Sequence, residues 1–177
     1  MVRQRILAML AVFAAMASIV VGVAPVAQAA AVDVSCVGTT QVTWSPGLRL
    51  QPQEVHFTET DLYTNCTSSD PTLQTGSALL SGDTDQVTCL KPLHAGTFHN
   101  VITWSNGQTS DILTTFAANS SGGVITLVGN GVVVNGEFKG DSAKMVYTYA
   151  QPSVTDCLSP GGLTRQFGTA TVTINGS

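Results

Sequence analysis

The chain carries little that can act on a substrate. Its three histidines, His56, His94 and His99, would form a zinc site only if the fold gathered them. His94 and His99 are five residues apart, on opposite faces of any continuous strand, unless a loop at Ala95-Gly96 intervenes. Histidine on the surface of a β domain is the simpler reading, and no metal ligand is assigned. His99 and Asp111, joined by one of the many serines, would compose a hydrolase triad. No Gly-x-Ser-x-Gly elbow presents such a serine, so no catalytic residue is assigned and the chain is read as non-enzymatic. Asp83-Thr-Asp85, with Asp70 upstream, has the composition of a calcium-holding turn. It lacks the glycine and terminal glutamate of an EF-hand loop, and aspartate favours turns for its own backbone hydrogen bonds. Trp44, Tyr63, Trp104, Tyr147 and Tyr149 could line a sugar-binding face, although aromatic side chains are also the usual core of a β domain. No cofactor is implied by any of these groups.

The cysteines are more informative. Cys36, Cys66, Cys89 and Cys157 all follow a segment that reads as an export signal. Arg3 and Arg5 form a basic start, Ile6 to Val23 is free of charge, and Ala27-Gln28-Ala29 matches the small-x-small pattern of signal-peptidase cleavage. Residues 1–29 are therefore expected to be a signal peptide rather than a membrane anchor, and residues 30–177 a single secreted domain. Four cysteines outside the cytoplasm read as two disulfides, with three connectivities possible and no CxxC spacing to suggest zinc or redox chemistry. Sequential pairing, Cys36 with Cys66 and Cys89 with Cys157, suits a chain that meanders from strand to strand. Losing Arg3 and Arg5 leaves five basic residues against eleven acidic ones, a net charge of −6 (5 − 11). That balance argues against nucleic acid and, once the signal is removed, against an anionic membrane as partners. Asn65-Cys66-Thr67 and Asn119-Ser120-Ser121 fit the N-glycosylation pattern, which matters only in a eukaryotic secretory route.

The elements that would position these side chains are short strands. Phe98 to Phe116 reads as a β-hairpin, with either a two-residue turn at Asn106-Gly107 or a three-residue loop at Ser105-Asn106-Gly107. The three-residue loop pairs Ile102 with Ser110 and Phe98 with Thr114, and collects Phe98, Ile102, Trp104, Ile112 and Phe116 on one face. A slip of one residue would move every side chain to the other face, so this cleaner partition is preferred, with Gly107 in the left-handed position that such a loop requires. Val55 and Phe57 are expected inward and His56 and Thr58 outward. Turns are expected at Ser45-Pro46-Gly47, Gly82 to Asp85, Gly129-Asn130-Gly131 and Ser159 to Gly162. The valine runs Val124 to Val128 and Val132 to Val134 do not alternate, so they are expected to form a hairpin buried on both faces. Met145, Tyr147 and Tyr149 share one side of a strand, and Ala170, Val172 and Ile174 point inward from another. Nine or ten such strands predict an all-β, antiparallel β-sandwich of immunoglobulin-like type. An up-and-down β-barrel is second, because the last five or six strands read as a meander.

Cys36-Val-Gly-Thr39, Ser45-Pro-Gly-Leu48, Cys89-Leu90, Ile102-Thr-Trp-Ser-Asn-Gly107 with Thr109-Ser110, and Gly136-Glu-Phe-Lys-Gly-Asp141 follow in this order. Together they resemble a group of small secreted actinobacterial proteins, over most of the mature chain. The shared motifs are turn and disulfide markers, so the resemblance implies secretion and a β-sandwich with two disulfides and adds no site. The expected function is extracellular binding of a protein or glycan. A carbohydrate-binding module is the alternative, and a protease inhibitor presenting the Cys89 to Gly96 segment is third.

Overall fold

Alternating side chains build the whole molecule. The computed structural model describes residues 31–93 and 95–176; the signal-peptide expectation and His94 lie outside the described residues. Eight antiparallel strands follow one another: β1 (Val32–Leu48), β2 (Gln53–Ser68), β3 (Gly76–Val87), β4 (Gly96–Trp104), β5 (Thr109–Ser121), β6 (Val124–Gly136), β7 (Ser142–Ala150) and β8 (Leu163–Asn175). A one-turn helix, α1 (Val154–Cys157), sits between β7 and β8, with Ser153 accepting a hydrogen bond from the Asp156 amide as its N-cap. Each strand pairs with the next, and β8 returns to pair with β1, closing an up-and-down barrel.

The all-β antiparallel expectation holds, and the barrel that ranked second is the architecture. The immunoglobulin-like sandwich is corrected. All eight strands belong to one sheet, and the β1–β8 ladder that closes it leaves no second sheet to stack against. Three expected turns lie within strands, which brings the count down to eight; the first, Ser45-Pro46-Gly47, is part of β1. Gly82 to Asp85 continues β3, with Asp83 and Asp85 exposed and Thr84 turned inward. Gly129-Asn130-Gly131 continues β6. A Cβ on Gly129 would run into the Phe116 ring and the Thr114 methyl, so this glycine makes room for an aromatic ring from β5. The surrounding valines are consequently not buried on both faces: Val133 is inside, while Val124 and Val132 keep more than a third of their surface exposed.

The central hairpin has the three-residue loop. Ile102 pairs with Ser110, Phe98 with Thr114, and Gly107 has φ +83°. Gly107→Val should therefore cost about 1–2 kcal/mol in denaturant unfolding from backbone strain alone, since nothing lies within 4 Å of its Cβ position. Asn106→Ala should cost a comparable amount for a different reason. Asn106 donates to Asp70 and Glu137 at 3.2 and 3.1 Å and accepts from the Gln108 amide at 3.0 Å.

Inside the barrel, the half nearest this hairpin is packed solid by Val34, Leu73, Ile102, Trp104, Ile112 and Ile174, with Cys36 joined to Cys66 among them. The Trp104 indole donates to Ser110 Oγ at 2.9 Å, so its one polar atom is satisfied. The wall is incomplete at one place. β3 and β4 share only three residue pairs, Gly76–Trp104 to Ala78–Ile102, whereas β4 and β5 share eight. Beyond Ala78 the two strands share no further pairs, and the connection from β3 to β4 begins with Thr88 to Leu93. Cys89, buried, ties that connection to Cys157 of α1.

Candidate ligand-binding cavity

The other half of the interior is not filled. Behind the β3–β4 split lies a cavity of about 150 Å³, lined by Val42 and Trp44 from β1, Phe57 and Glu59 from β2, and Leu80 and Thr84 from β3. Phe98 and Asn100 of β4, Phe116 of β5, Leu127 of β6 and Tyr147 of β7 continue the wall, and Asp83 of β3 with Pro92 and Leu93 of the β3–β4 connection complete it. The period of two accounts for this set. On β2, Val55, Phe57, Glu59, Asp61 and Tyr63 are successive inward positions, and on β4 so are Phe98, Asn100, Ile102 and Trp104. Four rings form a chain along the wall. Phe57 meets Phe98 edge-on at 6.5 Å between centroids, Phe98 meets Phe116 at 6.2 Å, and Phe116 meets Tyr147 at 5.6 Å.

Two carboxyl groups stand in this apolar surrounding. Tyr147 donates its hydroxyl to Asp61 Oδ2 at 2.8 Å, and Tyr149 donates to Glu59 Oε2 at 3.3 Å while lying 3.2 Å from Thr40 Oγ1. Loss of water raises the Glu59 pKa to about 8, with the neighbouring Asp61 carboxyl adding to the effect and the Tyr149 hydrogen bond opposing it. Burial raises Asp61 as well, against hydrogen bonds from Thr40 and Tyr147. Burial likewise lifts the phenols of Tyr63, Tyr147 and Tyr149. No basic side chain among the described residues enters the barrel: Arg49, Lys91, Lys139, Lys144 and Arg165 are all exposed. The interior therefore holds acid without a matching cation.

Three polar atoms around the acids are buried without a hydrogen bond of good geometry: Asn100 Nδ2, Asp61 Oδ1 and the Tyr63 hydroxyl. The last two have Thr40 and Tyr147 as neighbours. Asn100 is different, because its residue is only 4% exposed and lines the open cavity. A buried amide donor left unpaired costs about 1–3 kcal/mol. An acceptor brought into the cavity would recover that cost.

No protein-family model, curated protein or solved structure matches this chain.

The residues singled out from sequence fall elsewhere. His99 Nδ1 is 2.9 Å from Asp111 Oδ1 on the outer wall, and His56 Nδ1 is 2.8 Å from Asp83 Oδ1 at the cavity edge. Asp70 accepts from Thr72 and Asn106, and the Thr72 hydrogen bonds hold its carboxyl below the usual range. Among the described residues no three metal-ligating side chains come together. Trp44, Tyr63, Trp104, Tyr147 and Tyr149 are all buried. Of the Cys89 to Gly96 segment, Pro92 and Leu93 line the cavity. Glu59, Asp61 and Asn100 escaped sequence reasoning, although extending the Val55–Phe57 and Phe98–Ile102 alternations places all three inside.

Proposed function

We propose that this is a secreted, non-enzymatic binding protein whose barrel interior takes a small, compact ligand. One observation carries the reading: a ring-lined cavity that contains an unpaired buried amide donor and is bounded by the two strands of the barrel's shortest ladder, β3 and β4. Small barrels enclose ligands in this manner, with apolar walls and a few placed polar groups. At about 150 Å³ the cavity suits roughly one six-membered ring or a branched chain of similar bulk. Surface glycan binding would draw on exposed aromatic rings, and every tryptophan and tyrosine of the chain is interior.

Two disulfides fit an oxidising compartment. No helix among the described residues is long and apolar enough to cross a membrane. The outer wall is rich in threonine, including Thr39, Thr43, Thr60, Thr97, Thr115, Thr148 and Thr169. A membrane-spanning barrel needs an outward apolar band instead. The likeness to small secreted actinobacterial proteins belongs to the same proposal.

Trp44 lines the cavity, so ligand entry should change tryptophan emission saturably and raise the unfolding temperature together. Gly82 supplies the control. It lies between Leu80 and Thr84 on the same inward set, and a Cβ there would meet only the Phe57 ring, at 3.4 and 3.7 Å. Gly82→Leu should fill the space and abolish both responses while the fold remains. Responses that persist in Gly82→Leu would place the ligand elsewhere and overturn the proposal.

A further inference from the structure

We infer that the cavity's ligand is a small organic cation bearing an oxygen acceptor, held with its charge beside Glu59, its hydrocarbon against the aromatic wall and its oxygen on the Asn100 amide. The inference rests on the small-ligand reading above and names the class of ligand. Glu59 lines the cavity, Asp61 is the next inward residue on its strand, and the described basic side chains are all on the outside. A carboxylate in such a place is stable only with a partner of opposite charge or with a proton. The protein supplies no such partner among the described residues, so the positive charge has to arrive with the ligand.

The wall is suited to that charge. Ring faces attract ammonium groups, most strongly where water is excluded, and Trp44, Phe57, Phe98, Phe116 and Tyr147 surround the space. The free Asn100 Nδ2 then requires an acceptor on the same molecule. The other groups facing Glu59 reinforce the preference. Asp61 adds negative charge, Tyr63, Tyr147 and Tyr149 stay neutral because burial raises their phenols, and Asp83 lies at the cavity edge paired with His56.

Choline and its uncharged carbon isostere, 3,3-dimethylbutan-1-ol, separate charge from shape. Titrated into the intact protein at about pH 8 and followed by tryptophan emission, choline should bind at least about tenfold more tightly. Choline keeps its charge at every pH, so its affinity should rise from about pH 6 to about pH 9 as Glu59 loses its proton. Glu59→Gln, which keeps the side-chain shape and an acceptor for Tyr149, should remove both the preference and the pH dependence. Equal or tighter binding of the alcohol to the wild type would overturn the cation inference while leaving the small-ligand reading intact. Should neither compound, nor any neutral ring of similar size, elicit a response, both would fall. Should Glu59→Gln fold poorly, the wild-type pH series decides by itself: affinity that is flat or falls with pH contradicts the inference.

Discussion

Between about pH 5 and about pH 9 the protein, with both disulfides intact, should lose on the order of 3–5 kcal/mol of unfolding free energy, and Glu59→Gln should lose much less. The folded Glu59 carboxyl titrates near 8 and the unfolded one near 4.5. Between those values the folded chain keeps a proton that the unfolded chain has released. Unfolding therefore liberates a proton across that window, and raising the pH favours it. Above about 8 both states are ionised and the loss is complete. Asp61, raised in the same direction, adds to the fall. At about pH 9 Glu59→Gln should be more stable than the wild type, and at about pH 5 nearly equal to it. Urea unfolding at a series of pH values measures this directly. A wild-type stability that is flat or rises with pH across the window would mean that the carboxyl is not held in an apolar interior.

The second large effect concerns the bridge in the connection that carries Pro92 and Leu93. Cys89–Cys157 spans 68 residues, and replacing both cysteines by alanine should cost about 4 kcal/mol, mostly by freeing the unfolded chain. It should also loosen the Thr88–Ala95 connection. Among the described residues its hydrogen bonds to the rest of the barrel include the Cys89 amide on the Arg49 carbonyl at 2.7 Å and Gln151 Nε2 on the Leu90 carbonyl at 2.8 Å. Pro92 and Leu93 would then no longer be held against the cavity, and ligand should both enter and leave faster. Cys36–Cys66, spanning 30 residues in the packed half, offers the comparison. Its removal should cost about 3.5 kcal/mol and leave ligand kinetics unchanged. Stopped-flow binding on the two double variants, in conditions where both are folded, gives the test. Identical kinetics in the two would show that ligand does not pass between β3 and β4.

Much of this fold was legible in local pattern. The Phe98 to Phe116 hairpin could be registered because only one loop length put its large apolar residues together, and Gly107 fitted the resulting left-handed position. Met145, Tyr147 and Tyr149, and Ala170, Val172 and Ile174, alternate cleanly and are inside. What could not be read locally was closure. The choice of barrel over sandwich depends on pairing such as Val34 with Ile174 between the first and last strands, and no residue type marks so distant a partner. The glycines misled for a related reason. Gly129 has the neighbours of a turn residue, Asn130 and Gly131, but its role is steric and set by Phe116 on another strand. The site was legible in part and passed over. Asn100 lies between Phe98 and Ile102 on an inward set, and Glu59 and Asp61 lie between Phe57 and Tyr63 on another. Polarity alone suggests an outward side chain at each of them; the alternation places them within.

The cavity is tested most directly at Asn100. Its side-chain amide protons give their own nuclear magnetic resonance signals, and Nδ2 is the buried donor left without a partner beside the open space. Titrating isotope-labelled protein with choline should move those two signals saturably, in step with the indole signal of Trp44, while that of Trp104 in the packed half stays in place. Asn100 signals that do not move while outer-wall threonines shift would contradict the account.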